Sequence, residues 1–530
     1  MKSAFWRGKR VLITGHTGFK GSWLSLWLQS LGADVVAYAQ TAPTDPNMFT
    51  LASVADGIVS IVGDVCDGEH LRKVVASSRP EIVFHLAAQP LVRESYKDPV
   101  TTYATNVMGT VHLLESVRQA GSACAVLCIT SDKCYENREW IWGYRENEAM
   151  GGYDPYSSSK GCAEIVASAY RNSFFNPNRF PEHSTAIATV RAGNVIGGGD
   201  WAKDRLVPDI LQSLVKGKTI ILRNPQAIRP WQHVLEPLSG YLTLAELLYD
   251  DGPGYSEGWN FGPFDSGIKP VSWVVNQLVS LWGSDISWQQ DEAYQPHEDR
   301  YLMLDCAKAR HRLGWEPMLD IKAALRWTVE WMKALEAGAD MRRVSLSQIS
   351  RFMELAQNQE MRSNESGTLA GFDTAQPAGL SPDQAHIFDH VDQTVIARSR
   401  DGMIGFWNRG AEKMYGWTKD EALGQVSHAL LQTQFPQPLD SIEADLTEGG
   451  SWEGKLVHAR RDGTRIEVHS RWVLQAQEPS PRETVFEINK LYLTLLALFS
   501  LTGVDLLTEF RFDQFFPNLE ALCFVSQPEL

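Results

Sequence analysis

Two short segments of the sequence carry side chains suited to moving protons and hydride at a hydroxyl group. Tyr156 and Lys160 are four residues apart, so on a helix they share one face. A nearby ammonium group lowers the pKa of a phenol, and we therefore expect Tyr156 to act as a base toward a substrate hydroxyl while hydride leaves the same carbon. The segment Ser131-Asp132-Lys133 follows an apolar run and adds a hydroxyl, an acid and a possible base.

The acid and base of this second segment exceed what oxidation of an alcohol requires. Elimination of water needs one proton removed from carbon and another given to the departing hydroxyl. Asp132 and Lys133 can supply both functions, with Ser131 bonded to the reacting hydroxyl. The alternative interpretation is an exposed Asp–Lys ion pair in a loop. Epimerisation needs no such pair, so these residues favour elimination.

A glycine-rich turn precedes the first amphipathic helix. Glycines at this turn permit positive φ and close backbone approach, and the helix N-terminus offers free amides to a pyrophosphate. The spacing is Gly-x-x-Gly-x-x-Gly, and a tight strand-to-helix turn is the alternative. We expect the dinucleotide to contact Thr14, Gly15, Thr17, Gly18, Phe19, Lys20 and Gly21.

The second strand does not end in the acid that usually binds a ribose. Tyr38-Ala39-Gln40 stands there instead, so this fingerprint does not separate NAD from NADP. Asp64, after the third strand, is placed to bind the adenine amino group, and a helix-capping aspartate is the alternative.

The elements around these residues alternate short apolar runs with helical patterns over residues 10 to about 130. Continuous apolar strands separated by helices predict a parallel sheet covered on both faces, the doubly wound Rossmann arrangement. Residues 196–335 are more mixed and predict a smaller α/β substrate lobe.

Composition excludes several classes of protein. A length of 530 residues predicts two or three domains, and the net charge of −15 argues against nucleic acid as a partner. Seven cysteines without a Cys-x-x-Cys pair predict reduced thiols and neither disulfides nor a metal site. No signal peptide is evident, and the apolar residues 491–504 are shorter than the ~20 that span a bilayer. We expect a cytoplasmic protein without membrane contact.

Longer segments of the first 335 residues resemble known enzymes. The segments that resemble the extended short-chain dehydrogenases are residues 14–21, His85-Leu-Ala-Ala-Gln89, Thr105-Asn106-Val-Met-Gly109, Ser131-Asp132-Lys133 and residues 156–160. Four further segments resemble their CDP-glucose 4,6-dehydratase branch: Gln89-Pro-Leu-Val-Arg93, Arg191-Ala-Gly-Asn-Val-Ile-Gly-Gly-Gly-Asp-Trp201, Arg229-Pro-Trp-Gln-His-Val-Leu-Glu-Pro237 and Leu313-Gly-Trp-Glu-Pro317.

The resemblance implies a cycle on bound NAD with CDP-glucose as substrate. Tyr156 takes the C4 hydroxyl proton, the 4-keto group acidifies C5–H, Asp132 protonates the C6 hydroxyl, and hydride returns to C6. Lys133 is assigned to C5 deprotonation, although related dehydratases often carry Asp-Glu at this pair. The resemblance also implies a homodimer.

The remaining expected ligand contacts belong to two sets. The first set contacts NAD and comprises Asp64, Val65, Leu86, Ala87, Ala88 and Asn106, together with Tyr156 and Lys160. The second set contacts the substrate, with arginines suited to its diphosphate, and comprises Gln89, Arg93, Asn194, Arg205, Arg223, Arg229 and His297.

The C-terminal part predicts a different unit. Residues 336–383 are expected to link the dehydratase domain, residues 1–335 with a cofactor core at 8–195, to a unit at 384–488 that resembles an α+β PAS domain. This PAS-like stretch has no cysteine, which argues against a cysteinyl-flavin photosensor and favours an interaction or dimerisation module. Residues 489–530 form an apolar tail without an assigned role.

Two alternatives to this function remain open from the residues. One is a 4-epimerase or a dehydratase acting on another nucleotide sugar. The other is a regulatory protein in which a retained or decayed enzyme domain serves a PAS-like sensor. The presence of every expected catalytic residue argues against decay.

Overall fold

A computed structural model describes residues 2–140, 142–291, 301–368, 393–476 and 483–491. Contacts within the chain divide it into two units, Met1–Glu365 and Ser366–Leu530. Each unit is described separately below.

The first unit is built on short strands, most of them in one parallel sheet. In chain order they are β1 Arg10–Thr14, β2 Asp34–Ala39, β3 Val59–Val62, β4 Ile82–His85, β5 Ala125–Ile129, β6 Ala186–Arg191, β7 Val195–Ile196, β8 Ile220–Leu222, β9 Ile228–Pro230, β10 Gln232–His233, β11 Gly258–Asn260, β12 Ile268–Pro270 and β13 Trp288–Gln290.

The main sheet has seven strands in the order β3-β2-β1-β4-β5-β6-β11, all paired in parallel. The order 3-2-1-4-5-6 is that of the Rossmann fold, so the predicted fold class is confirmed. Every residue of β4 and β5 is buried, as expected for strands covered on both faces. Alternation along β1 sends Val11 and Ile13 into one hydrophobic core and Leu12 into the other.

Helices cover both faces of this sheet, and further helices belong to the segment that follows β6. They are α1 Phe19–Ser30, α2 Met48–Leu51, α3 Gly68–Ser78, α4 Val92–Lys97, α5 Pro99–Tyr103, α6 Gly109–Ala120, α7 Pro155–Ser173, α8 Phe180–His183, α9 Leu206–Val215, α10 Leu235–Asp250, α11 Gly252–Tyr255, α12 Val271–Trp282, α13 Ala307–Leu313, α14 Ile321–Glu336 and α15 Met341–Thr368.

Three two-stranded sheets, β7–β10, β8–β13 and β9–β12, lie in the region predicted as the substrate lobe. With helices α9 and α12 they form the mixed α/β segment that the sequence predicts. The strands are two or three residues long, so this lobe depends on packing against the larger core rather than on its own ladders.

Helix α15 lies within the predicted linker and packs on the first unit. The rings of Phe352 and Trp27 meet edge to face with centroids 5.7 Å apart. Arg342 donates hydrogen bonds to the carbonyl of Ser53 at 2.7 Å and to Oε1 of Gln29 at 2.7 Å. Residues 369–383 of the predicted linker lie outside the described residues.

The second unit contains one antiparallel sheet and short helices. Its strands are β14 Thr394–Ser399, β15 Ile404–Trp407, β16 Ser451–Ala459, β17 Arg465–Ala476 and β18 Glu483–Leu491, in the order β15-β14-β18-β17-β16. Its helices are α16 Arg409–Tyr415, α17 Lys419–Ala422, α18 Ser427–Leu430 and α19 Leu439–Gly449. The core contains Trp407, Tyr415 and Trp472, and the two strands predicted near residues 394 and 403 are present.

In the described part of the chain, no helix has the length and hydropathy needed to cross a bilayer. The apolar segment predicted at residues 491–504 lies outside the described residues from 492 onward, as does the rest of the predicted tail.

Candidate active site

A cavity of about 1280 Å³ opens at the carboxyl ends of the parallel strands in the first unit. Ligands bind at this edge in doubly wound sheets. The predicted residues that line it are Gly15, Thr17, Gly18, Phe19, Lys20, Gly21, Asp64, Val65, Leu86, Ala87, Ala88, Gln89, Arg93, Ser131, Asp132, Lys133, Tyr156, Lys160, Asn194, Arg205, Arg223 and Arg229.

The glycine-rich turn is shaped for close backbone approach. Gly15 has φ of +80°, and a Cβ there would lie 2.6 Å from the amide nitrogen of Ala87. A Cβ on Gly21 would overlap the carbonyl oxygen of Gly15. Helix α1 begins after Gly18 without a side-chain cap, so its first amides face the cavity unpaired by a capping side chain. This arrangement fits the pyrophosphate of a dinucleotide.

Asp64 is held at the cavity wall by its neighbours. Its carboxylate accepts hydrogen bonds from the side-chain amide of Gln40 at 2.7 Å and from the backbone amide of Cys66 at 2.8 Å. The N-cap of helix α3 is Asp67, whose side chain accepts from the amide of His70. The alternative reading of Asp64 as the helix cap is therefore wrong. Gln40 also lines the cavity, where the expected ribose-binding acid would stand.

Two predicted cofactor contacts lie behind the cavity wall instead of lining it. The hydroxyl of Thr14 lies 2.7 Å from Nδ1 of His85 and accepts from the amide of Ala87 at 3.2 Å. The side chain of Asn106 donates to the hydroxyl of Ser159 at 2.8 Å and accepts from the amide of Gln89 at 2.8 Å. Both residues hold together elements that carry cavity-lining residues.

Helix α7 presents the tyrosine and the lysine. Asp154 caps the helix by accepting from the amide of Ser157 at 2.9 Å. Tyr156 and Lys160 are 8% and 5% exposed, and the ammonium group of Lys160 donates to the carbonyl of Ile129 at 3.3 Å. The spacing thus brings both side chains to one face at the end of β5, as the sequence predicts.

The pKa of Tyr156 moves opposite to the expected direction. Burial is the largest cause and raises it to about 12, while a hydrogen bond with Ser131 and the charge of Arg205 lower it. Burial also lowers the pKa of Lys160 to about 8, opposed by the carboxylate of Glu164. The net pKa of Tyr156 therefore lies above its usual value and not below it, because the phenolate loses more from the exclusion of water than it gains from Ser131 and Arg205.

Ser131 and Asp132 form a short turn against the cavity. The hydroxyl of Ser131 donates to Oδ1 of Asp132 at 2.9 Å and accepts from the amide of Lys133 at 3.2 Å. Asp132 is only 4% exposed, which excludes an exposed Asp–Lys ion pair. Lys133 is half-buried and lines the same cavity.

Lys20 lines the cavity together with Lys133 and Lys160. Burial lowers its pKa to about 8, and the charges of Arg205 and Lys160 act in the same direction. The carboxylates of Asp132 and Asp200 oppose this shift. The sequence places Lys20 in the glycine turn, and the structure brings its ammonium group close enough to Asp132 for the two charges to interact.

The arginines predicted for the substrate face carboxylates across the cavity. Arg205 pairs with Asp200 at 2.9 Å, and Arg93 and Arg223 both pair with Asp204, at 3.6 and 3.4 Å. The guanidinium of Arg229 is buried and donates to the carbonyl of Ile228 at 2.8 Å. His297 lies outside the described residues.

Sequence reasoning missed the aspartates that pair with these arginines, which are Asp200, Asp204 and, 3.9 Å from Arg223, Asp209. Asp200 stands inside the Gly-Gly-Gly-Asp-Trp segment, so its motif offered a signal. Asp204 stands in an ordinary polar stretch and offered none. Among the described residues, no group of three or more His, Cys, Asp or Glu side chains is arranged to hold a metal ion.

Comparison with known proteins assigns the first unit to a family. Residues 12–328 match the model of the GDP-mannose 4,6 dehydratase family, which is more than half of the chain. The chain belongs to this family. A CDP-glucose 4,6-dehydratase of Salmonella typhimurium is 60% identical over 349 residues, which cover 66% of this chain and 97% of that protein.

Solved structures share the fold of the first unit. A UDP-glucose 4-epimerase of Thermotoga maritima with UDP-glucose aligns with a TM-score of 0.54 and 22% identity, over 62% of this chain and 99% of that one. A dTDP-glucose 4,6-dehydratase of Bacillus anthracis in complex with NAD aligns with a TM-score of 0.51 and 24% identity, over 63% of this chain and 99% of that one.

Residues 383–479 match the PAS fold, so the predicted second domain is confirmed.

Proposed function

We propose that this family member is an NAD-dependent CDP-glucose 4,6-dehydratase, which converts CDP-D-glucose to CDP-4-dehydro-6-deoxy-D-glucose and water. The observation that carries the proposal is one cavity in which Tyr156, Ser131 and Asp132 stand beside the glycine-rich turn. The 60% identity to the Salmonella enzyme supports the choice of CDP-glucose.

The cofactor assigned to this site is NAD, which when bound accepts hydride from C4 and returns it to C6. Gly15 and Gly21 leave room for its pyrophosphate beside the uncapped N-terminus of helix α1. Asp64 and Gln40 stand where the adenosine end would lie, at the ends of β3 and β2.

Tyr156 and Ser131 handle the proton of the C4 hydroxyl. The hydrogen bond between them lowers the pKa of the buried phenol, and the charge of Arg205 acts in the same direction. Since burial raises that pKa to about 12, phenolate forms only where further positive charge offsets the lost water. Lys160 lies one helical turn after Tyr156 and supplies a cation of this kind. Its ammonium group is held in place by the hydrogen bond that it donates to the carbonyl of Ile129.

Asp132 and Lys133 carry the elimination. Asp132 gives a proton to the departing C6 hydroxyl, and its bond with Ser131 places it beside the group that handles the C4 proton. Lys133 removes the C5 proton, directly or through water. A carboxyl and an amine at adjacent positions supply both proton transfers without a metal ion.

The substrate diphosphate binds to the arginines of the second lobe. Arg205, Arg223 and Arg229 lie on the cavity wall, and Arg93 reaches it from helix α4. Asp200 orients Arg205, and Asp204 holds both Arg93 and Arg223. Guanidinium groups suit the diphosphate because they donate hydrogen bonds to phosphate oxygens. Asn194 and Gln89 face the same space and bind the sugar or its phosphates.

We also propose that the protein is a homodimer and that it is cytoplasmic. Helix α7 packs against α5 and α6, and exposed apolar side chains lie on these helices or directly next to their ends. They are Val100, Tyr103, Met108, Ile165 and Phe174. Exposed large apolar side chains are enriched at subunit interfaces, and these residues are therefore the proposed contact surface.

Mixing the purified full chain with CDP-glucose, and following the alkaline absorbance of the keto sugar, tests the activity. In deuterated solvent the product is expected to carry deuterium at C5. Tyr156→Phe should abolish turnover, and Asp132→Asn should stop elimination. Turnover of UDP-glucose or dTDP-glucose but not of CDP-glucose would contradict the proposed substrate.

A further inference from the structure

We propose that Glu164, a buried residue outside the cavity lining, is a positioning residue that holds the Ser131–Asp132 segment and Lys160 in their catalytic places. The inference rests on the proposed function, because it concerns how the same reaction is supported. Glu164 is not among the site residues predicted from the sequence.

Glu164 stands one helical turn after Lys160 on helix α7, as Lys160 stands one turn after Tyr156. The three side chains therefore lie along one face of the helix. Glu164 is 4% exposed, so its carboxylate is removed from water and depends on partners in the protein.

The carboxylate of Glu164 accepts four hydrogen bonds, three from residues of β6 and one from the residue that follows β5. Arg191 donates from Nε to Oε1 at 2.9 Å and from a terminal nitrogen to Oε2 at 2.8 Å. The hydroxyl of Thr189 donates to Oε2 at 2.6 Å, and the hydroxyl of Thr130 donates to Oε1. The bidentate arginine and the two hydroxyls leave the carboxylate one orientation.

One partner of Glu164, Thr130, lies directly next to the proposed catalytic segment. Thr130 immediately precedes Ser131, and Ile129, before it, accepts the hydrogen bond of Lys160 at 3.3 Å. Helix α7 is therefore bound to the end of β5 by two hydrogen bonds. Lys160 donates to the backbone carbonyl of Ile129, and Glu164 accepts from the hydroxyl of Thr130.

Another partner of Glu164, Arg191 on β6, is close in sequence to the residues on the other side of Asp132. Arg191 ends β6 and stands two residues before Gly193, whose backbone lies against the carboxylate of Asp132. Arg191 also contacts the hydroxyl of Tyr135, which donates to Asn260 on β11 at 2.8 Å. Glu164 therefore joins the helix that carries the base to both segments that enclose the acid.

The charge of Glu164 acts in the same place. Its carboxylate raises the pKa of Lys160, against the burial that lowers it. Other ionisable groups that interact with Lys160 are Lys20, His85, Cys128 and Cys134, and Arg191 and Arg171 interact with Glu164. Glu164 is the carboxylate among these groups, so it favours the ammonium form of Lys160.

Two threonines that donate to the same carboxylate provide a matched test in the full chain. Thr130→Val and Thr189→Val each remove one hydroxyl donor with little change in volume, and each should lower the thermal midpoint by a similar amount. Thr130→Val is expected to lower kcat about 10-fold with KM for CDP-glucose changed less than about 2-fold, because Ser131 and Asp132 lose their anchor. Thr189→Val should leave kcat within about 2-fold of wild type.

Two further variants keep the test decisive. Thr130→Ser retains the hydroxyl and should restore most of kcat. Glu164→Asp keeps the charge but withdraws the carboxylate by one methylene, so kcat should fall while KM is held. Equal kcat for Thr130→Val and Thr189→Val, or wild-type kcat for Glu164→Asp, would overturn the positioning role. A wild-type chain that leaves CDP-glucose unchanged would instead overturn the proposed function, so the two failures are distinguishable.

Discussion

The carboxylate of Asp132 lies against the backbone of Gly193, where a Cβ would overlap Oδ2 and approach Oδ1 to 3.0 Å. Asp132 follows β5 and Gly193 follows β6, and these strands are adjacent in the sheet. The glycine of the Arg-Ala-Gly-Asn segment therefore gives the buried acid the space it occupies.

Gly193→Ala should displace Asp132 and lower kcat by about 100-fold or more, since a positioned acid contributes roughly that factor. Steady-state kinetics with CDP-glucose measure this effect. Gly449→Ala is the matched control, because a Cβ there meets no atom within 4 Å. A Gly193→Ala enzyme within about 2-fold of wild type would show that the acid can relocate at no cost.

The dependence of activity on alkaline pH should report two lysines. Burial lowers the pKa of both Lys20 and Lys160 to about 8. Each ammonium charge is present below that pH and is lost as pH rises through it, so kcat/KM should fall above pH 8. If both charges are needed, the plot of log kcat/KM against pH approaches a slope of about −2.

The variant Lys20→Arg separates the two titrations. Arginine keeps its charge throughout this pH range, so the alkaline slope should decrease to about −1 and report Lys160 alone. Profiles from pH 6 to 10 with the wild type and the variant make the comparison. A wild-type slope of about −1 that Lys20→Arg leaves unchanged would show that Lys20 takes no part.

The end of the dehydratase domain can be found by truncation. We propose that it lies near residue 365, because Ile349 and Phe352 on helix α15 are each only 1% exposed. A chain of residues 1–365 should keep turnover within about 2-fold of the full chain. A chain of residues 1–340 should lose about 3–6 kcal/mol, since burying each of these side chains contributes roughly 1.5–3 kcal/mol.

Thermal melting and kinetics of both truncated chains check this boundary. Equal melting midpoints for the two would show that helix α15 contributes nothing to the first unit. Loss of turnover in residues 1–365, with the fold intact, would show instead that activity requires the PAS unit.

A buried ion pair should govern the stability of the second unit. Arg398 is fully buried, pairs with the buried Glu487 and with Glu443 at 3.1 Å, and lies 4.5 Å above the ring of Trp472. Arg398→Met leaves Glu487 buried without this partner and should cost roughly 3–5 kcal/mol.

Differential scanning calorimetry is the measurement for Arg398→Met. The transition of the second unit should move to lower temperature while dehydratase turnover at 25 °C stays unchanged. Lys455→Met is the control, because its pair with Glu467, at 3.7 Å, is half exposed and should contribute less than about 1 kcal/mol. Similar melting curves for the two variants would contradict a structural role for Arg398.

Local pattern was sufficient for the fold class and for most cavity-lining residues. The apolar runs of β4 and β5 predict a parallel sheet because strands buried on both faces admit few polar side chains. The glycine turn before helix α1 and the four-residue spacing of Tyr156 and Lys160 depend only on neighbours in sequence. Helical geometry then places those side chains without further information.

Tertiary structure decided what depends on distant contacts and on burial. The sequence alone could not place Gly193 against Asp132 or Thr189 and Arg191 on Glu164, because these pairs come from separate strands and helices. Nor could it give the direction of the Tyr156 pKa, which burial raises and the carboxylate of Asp132 raises further. Spacing fixes which side chains share a face, but the exclusion of water is a property of the assembled core.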